Sequence, residues 1–486
     1  MASVKRALAW SFTTQYSQMI LGFITSVILA RLLTPAEIGV FSVAMVVVGF
    51  ASLLRDFGVS EYLVQEKDLT DTKIQTAYTF NIITGWTMGI LLYLASGTIA
   101  GFYDDPVVKQ VLHILALNFI FVPIGATTFA LLRRNMRFGE TSRIQLLAMS
   151  ITAITSVSCA FYGLGATSMA WGALAGAIVT AAGCYFYRYK HIGISFTFKG
   201  FSSVWSYSSH SIVLMLTRHT TASLPELLMG KTLGMHDVGI FNKGRSTGQL
   251  VYGAVMGGVK PIMMPLFSRY QADHSELRRN FLQALNLSLG IVWPCLALAV
   301  YKADELVLFL FGEQWVSSAP ILQISAIGIA VWSTATYSEE LFKASGKIFL
   351  LPRIEFVMLP LTLILATIGS QSSIIVMAAL LTLVPFARTL VIFALLRTIY
   401  QLQFAMIARI LFVNLCLTGL VVVAVVLVDL LAPGMPLLLD LLLAGTVFLM
   451  SWSVAVVLFR HSLYLEFRRE LLGLYDKFWR LVRQGS

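Results

Sequence analysis

Six basic side chains stand where an apolar chain has least tolerance for them. Arg218, His219, Lys243, Arg245, Lys260 and Arg388 all fall inside long hydrophobic stretches. A charge at the centre of a hydrocarbon layer costs about 2.5–3.5 kcal/mol even on lenient insertion scales, so a residue retained there usually lines a polar path. Guanidinium and ammonium groups bind phosphate oxygens through charge-assisted hydrogen bonds, arginine with a bidentate fork. The chemistry on offer is the capture and passage of an anion. Arg218 is the strongest candidate, because it sits near mid-helix with His219 beside it. At a rise of about 1.5 Å per residue, the expected order of depth is Lys243, Arg245, Arg218, Arg388, Lys260. Two plainer readings compete: Lys243, Lys260 and Arg388 can snorkel along their aliphatic stems, and Glu226 can pair with a nearby cation.

Other chemistries find little footing. Cys159, Cys184, Cys295 and Cys416 all lie in apolar stretches without metal-ligand spacing, and the seven histidines are scattered. There is no glycine-rich lysine loop to cradle nucleotide phosphates. No catalytic residue, metal or cofactor is therefore expected. The longest expected external loop, about 302 to 319, holds Asp304, Glu305 and Glu313. Those carboxylates would serve a membrane glycan polymerase by general acid–base catalysis, although acids in such loops are usually just solvated.

The elements that position the cations are membrane helices. Hydrophobic residues make up 57% of the 486 and charged residues only 12%, far from the balance of a soluble domain. Stretches long enough to cross about 30 Å of hydrocarbon number about fourteen, near 10–30, 38–54, 76–100, 109–132, 144–162, 166–187, 205–229, 238–266, 281–301, 320–342, 354–370, 374–396, 408–428 and 437–459. Alternate loops then separate by charge. With the N-terminus inside, cytoplasmic loops hold most of the lysine and arginine, whereas the outside loops hold only Arg31, Lys109, Lys231 and Lys302. The net charge of +11 follows from this asymmetry and implies no nucleic-acid partner.

The chain also repeats itself. Ala30 to Phe41, reading through Thr34-Pro35-Ala36-Glu37-Ile38-Gly39, returns 200 positions later as Gly230 to Phe241, reading through Gly234-Met235-His236-Asp237-Val238-Gly239. Six helices separate the copies, so both enter the membrane in the same direction. The expected fold is all-α, with two parallel-repeat six-helix lobes at 1–200 and 201–400 and two further helices at 401–459. A basic amphipathic tail at 460–486 would lie on the inner leaflet, and it could alternatively dock polysaccharide assembly enzymes. Arg218, His219, Lys243, Arg245 and Lys260 have no basic counterpart at Gln18, Met19, Val43, Met45 and Ser60, 200 positions earlier. Gln15 and Gln18 in the first helix are expected to face a bundle interior or wet cavity. Pro225, Gly257, Gly258 and Pro261 read as hinges beside the charged groups.

Three segments carry a family resemblance. Ile28 to Gly39, the turn Asp56-Phe57-Gly58 followed by Leu63-Val64-Gln65, and Leu310-Phe311-Gly312-Glu313-Gln314-Trp315 resemble the polysaccharide transporter family. That family belongs to the multidrug, oligosaccharidyl-lipid and polysaccharide exporter superfamily, and the likeness is to exporters of the colanic-acid type. It implies a flippase of a bacterial inner membrane that moves undecaprenyl-pyrophosphate-linked oligosaccharide. Bendable helices beside charged groups fit alternating access, and a monomer is the default expectation because a two-lobe transporter can work alone. The pyrophosphate would meet Arg218 with help from Arg245 or Arg388. A MATE-like drug or cation exporter is the rival within the superfamily, but it would need deep acids, and Glu226 is the one acid expected well inside the first twelve helices.

Overall fold

A computed structural model describes residues 2–56, 58–188, 197, 201–271, 273–465 and 468. Its helices in chain order are α1 (Ala2–Leu32), α2 (Pro35–Asp56), α3 (Val59–Gln65), α4 (Asp71–Tyr103), α5 (Pro106–Arg134), α6 (Phe138–Phe161), α7 (Thr167–Phe186), α8 (Phe201–Thr232), α9 (Met235–Arg269), α10 (His274–Tyr301), α11 (Ala303–Phe311), α12 (Ala319–Ser333), α13 (Ser338–Ala344), α14 (Leu350–Ser370), α15 (Ile374–Tyr400), α16 (Phe404–Leu431) and α17 (Leu437–Leu458). No strand occurs among the described residues. Twelve elements are long and apolar enough to cross a membrane, the segment Glu313–Ala344 counted as one. Helices α1 and α8, of 31 and 32 residues, also reach membrane length and complete the expected fourteen. The most exposed large side chains include Leu94, Leu390, Phe412 and Leu431, the inverse of a water-facing surface. This is a multi-span membrane protein.

The chain divides into two compact units. The first comprises Met1–Lys243, Phe311–Ser317 and Glu355–Leu381, and the second Gly244–Leu310, Ser318–Ile354 and Thr382–Ser486. Within the first unit, α4 packs on α5 and α7 on α6 through small residues spaced four apart. Gly85 and Gly89 face Pro123 and Phe119, while Gly172 and Gly176 face Ser156 and Thr152. In a lipid solvent with no hydrophobic drive between helices, such close backbone approach supplies the association energy. Within the second unit, α10 is flanked by α12, α16 and α17.

The start of α2 shows how local sequence makes an element. Thr34 and Glu37 form a capping box: Glu37 Oε2 accepts from the Thr34 N–H at 2.7 Å and hydroxyl at 2.9 Å, and Thr34 Oγ1 accepts from the Glu37 N–H at 3.4 Å. Pro35 occupies the first helical position, where its missing N–H costs nothing. At the repeat-related start of α9, Gly234 adopts φ +91°, a left-handed conformation that glycine takes without strain.

The two repeat copies meet each other. A Cβ on Gly39 would overlap the carbonyl oxygen of Met235, and a Cβ on Gly239 would overlap the carbonyl oxygen of Pro35. Positions 35 and 235, and 39 and 239, are the pairs related by the 200-residue offset. The contact is therefore reciprocal, and it explains why the repeat retains glycine at this step.

The stretch expected as an exposed external loop is instead helical. Ala303–Phe311 forms α11 and Glu313–Ser318 a 3-10 turn, with Trp315 fully buried. Its apolar run, Leu306 to Phe311, is too short to span a membrane but long enough to bury, and so it escapes a search for membrane-length segments. The basic tail falls largely outside the described residues, which end at 465 apart from 468.

Candidate functional site

Arg218 lies on α8, where the polar residues around it settle themselves locally. The Thr220 and Thr221 hydroxyls donate to the carbonyls of Leu216 and Thr217, both at 2.8 Å. Arg218 turns instead to another helix. Its Nε lies 3.3 Å from Glu355 Oε1 on α14, and the two side chains are 35% and 3% exposed. A partly exposed arginine side chain thus has a buried carboxylate beside its Nε. Glu226 shares the Arg218 face at a spacing of eight residues, about 12 Å along the axis, and is half-buried.

His219 is committed to α2. Its Nε2–H donates to the Val46 carbonyl at 3.2 Å, and its ring meets Phe50 edge-on at 4.5 Å between centroids. Gly49 makes this possible, because a side chain there would collide with the imidazole. His219 therefore locks the helix that carries Arg218 against α2.

Lys243 is enclosed rather than open. Only 6% exposed, it donates to Ser26 Oγ at 3.2 Å and lies 4.5 Å from the Phe311 ring centroid and 5.2 Å from that of Trp315. Aromatic faces offset part of an ammonium's lost hydration. The same 3-10 turn closes the end of α1, whose last carbonyls have no intrahelical donor. Trp315 Nε1 donates to the Ala30 carbonyl at 2.6 Å, and Gln314 Nε2 donates to Ala30 at 2.8 Å and Leu33 at 3.2 Å. Two segments that carry the family resemblance, around Ala30 and around Trp315, are thus physical partners. Gly312, at φ +95°, supplies the turn between Phe311 and Gln314.

The remaining cations belong to the second unit. Lys260 on α9 has its Nζ 3.5 Å from Glu340 Oε1 on α13, with side chains 41% and 10% exposed. Glu340 Oε2 is buried without a hydrogen-bond partner among the described residues. Nearby, Tyr252 bonds Thr336, and Tyr337 bonds Ser288 and approaches Met256 sulfur at 3.7 Å. Arg388 is half-buried over the Trp332 ring, 5.5 Å from its centroid. Arg245 is half-buried on α9. Among the other expected site groups, Gln15 is exposed and Gln18 half-buried on α1, and Pro225 and Pro261 lie within uninterrupted α8 and α9, the latter also carrying Gly257 and Gly258.

Glu226 is joined by two more strongly buried acids. Glu355 and Glu340 are 2% and 8% exposed, and both partner cations selected from the sequence. Each lies near the end of an expected span, where an acid reads as a boundary residue. A hydropathy window registers that position but not the neighbour across the helix interface. Among the acids of the expected external loop, Asp304 and Glu305 fall in the first turn of α11 and Glu313 opens the 3-10 turn. Glu305 lies 3.7 Å from Lys302, whose ammonium is held by Asp429 at 2.7 Å and Asp440 at 2.8 Å. Lys302 is only 4% exposed. Burial alone would lower its pKa, but the bonds to Asp429 and Asp440 outweigh that and hold the ammonium above the ordinary lysine range.

The fold has solved counterparts. The lipid II flippase MurJ in an inward closed conformation aligns with a TM-score of 0.73 at 15% identity, covering 92% of this chain and 98% of that one. Residues 28–320 match the polysaccharide biosynthesis protein family, and the chain belongs to it. Similar proteins include the teichuronic acid biosynthesis protein TuaB of Bacillus subtilis, 26% identical over 57% of this chain and 58% of its own length. Another is the succinoglycan biosynthesis transport protein ExoT of Rhizobium meliloti, 25% identical over 67% and 66%. The chain thus spans less than two thirds of the length of each.

Proposed function

We propose that this protein is a flippase that carries undecaprenyl-pyrophosphate-linked oligosaccharide repeat units across a bacterial inner membrane by alternating access. The observation that carries the reading is Arg218, a partly exposed arginine in a membrane-length helix with its counter-charge buried beside it. A pyrophosphate headgroup matches that fork. Arg388, Arg245 and Lys260 would extend the anion path, and Lys243 and His219 would brace the helices that carry it. Membership of a polysaccharide biosynthesis family, a relative named as a succinoglycan transport protein and the fold of a lipid II flippase support the same reading.

The working molecule would be a monomer of two six-helix lobes, 1–200 and 201–400, with 401–459 appended. Both termini would be cytoplasmic, and Pro225 and the Gly257 to Pro261 stretch would provide the bends. No covalent step is required. A doubly anionic headgroup moving out of a negative interior gains about 2.3 kcal/mol per charge per 100 mV.

Arg218→Gln tests this in the native host. In a strain deleted for the gene, the wild-type chain is expected to restore polysaccharide secretion. Compared at matched protein abundance, the variant should restore less than a tenth of that secretion, with lipid-linked oligosaccharide accumulating on the cytoplasmic leaflet. Full rescue by Arg218→Gln would remove this residue from the mechanism.

A further inference from the structure

Arg218 and Lys260 share an arrangement that attraction to an external anion does not explain. Each exposes a third or more of its side chain, 35% and 41%, while the acid behind it, Glu355 or Glu340, exposes 3% and 10%. The pairs lie in different units, on α8 with α14 and on α9 with α13. They have different cations and no common sequence pattern. A carboxylate buried this deeply is stable beside a cation and costly without one. The cation in turn is held by the carboxylate while its side chain stays partly exposed.

We propose that Glu355 and Glu340 are resident counter-anions: they hold Arg218 and Lys260 charge-compensated between turnovers and compete with the substrate's phosphates for those cations. The inference rests on the anion-path reading above and gives that path its reversibility. A transport site must bind well enough to load and weakly enough to unload. An uncompensated guanidinium facing a diphosphate satisfies only the first requirement. With Glu355 in contact, every phosphate oxygen that reaches Arg218 weakens an existing ion pair, and the carboxylate reclaims the guanidinium as the headgroup leaves. The same exchange at Lys260 makes a second station that releases by the same means. The buried, unpartnered Oε2 of Glu340 leaves that carboxylate an oxygen with which to re-form its contact after the ammonium shifts.

The test is binding set against transport in the purified full chain, with undecaprenyl pyrophosphate as the probe. Glu355→Gln and Glu340→Gln remove the competing charge and keep the side-chain shape. Each is expected to lower the Kd about tenfold and slow dissociation by a similar factor, while polysaccharide secretion in cells falls. A folded glutamine variant that binds with unchanged or weaker affinity would show that the carboxylate is a structural brace and would overturn the proposal. Should a glutamine variant fail to accumulate, Glu355→Asp retracts the charge by one methylene, and the same two outcomes decide. Arg218→Gln and Lys260→Gln address the underlying path separately. If both bind the probe as wild type does, the anion path fails, whereas weakened binding there with unchanged binding in the glutamate variants defeats only the counter-anion role.

Discussion

Lys302→Met is expected to be the most destabilising single substitution at an ion pair in this chain. The lysine ammonium is buried at the junction of α10 and α11, with Asp429 of α16 and Asp440 of α17 both within 2.8 Å. Methionine has similar volume, so packing survives and the electrostatic loss is isolated. Removing the cation strands two carboxylates, and breaking a buried pair in this way costs about 3–5 kcal/mol. The prediction is a large fall in the thermal unfolding temperature of detergent-solubilised protein, and reduced abundance in cells. The triple variant K302M/D429N/D440N, which removes both close carboxylates with the cation and leaves only the more exposed Glu305, should recover most of the loss. A Lys302→Met protein as stable as wild type would mean that the cluster is solvated. The pH dependence follows from linkage: a folded pKa above the unfolded one gives stability that is complete below the ordinary lysine value of about 10.4 and is lost only as pH rises through the folded value. The stabilisation by Lys302 should therefore be flat through the neutral range.

The second large effect falls on the contact between the repeat copies. Alanine at Gly39 or Gly239 places a methyl group inside the opposing backbone, at Met235 or Pro35. Neither backbone can rotate away as a side chain would. Overpacking of this kind costs about 1–3 kcal/mol, and the starts of α2 and α9 must separate. Export should fall sharply for either variant, because a state with these helix ends in contact becomes inaccessible. The two changes act on one contact, so G39A/G239A should be little worse than either alone, a non-additivity that distant sites do not show. Additive losses, or wild-type export from Gly39→Ala, would show that the close approach is dispensable.

Much of this architecture was legible in the residues. Composition and span length specify membrane helices because the bilayer imposes both. The repeat exposed Gly39 and Gly239 as equivalents, since both must admit a backbone. The cations were legible for a similar reason, as Arg218 and Lys260 contradict their apolar surroundings. Their partners were not. Glu355, Glu340, Asp429 and Asp440 are ordinary helix-end acids until tertiary packing places each beside a particular cation, and helical periodicity reports a face without naming its neighbour. The burial of Trp315 was hidden likewise. Its indole N–H is satisfied by Ala30, far away in the sequence, and a loop holding Asp304, Glu305 and Glu313 reads as solvated.

Movement of a lipid-linked oligosaccharide across a bilayer, the function proposed for this chain, can be measured directly. Purified protein should be reconstituted into liposomes carrying undecaprenyl-pyrophosphate-linked oligosaccharide. A membrane-impermeant glycosidase added outside then reports how much lipid remains protected in the inner leaflet. With wild-type protein the protected half should become accessible at a rate that rises with protein per vesicle, and with Arg218→Gln it should stay protected, as in empty liposomes. Protection that is the same with wild-type protein as in empty liposomes, under an imposed membrane potential and under an ion gradient alike, would contradict the flippase reading.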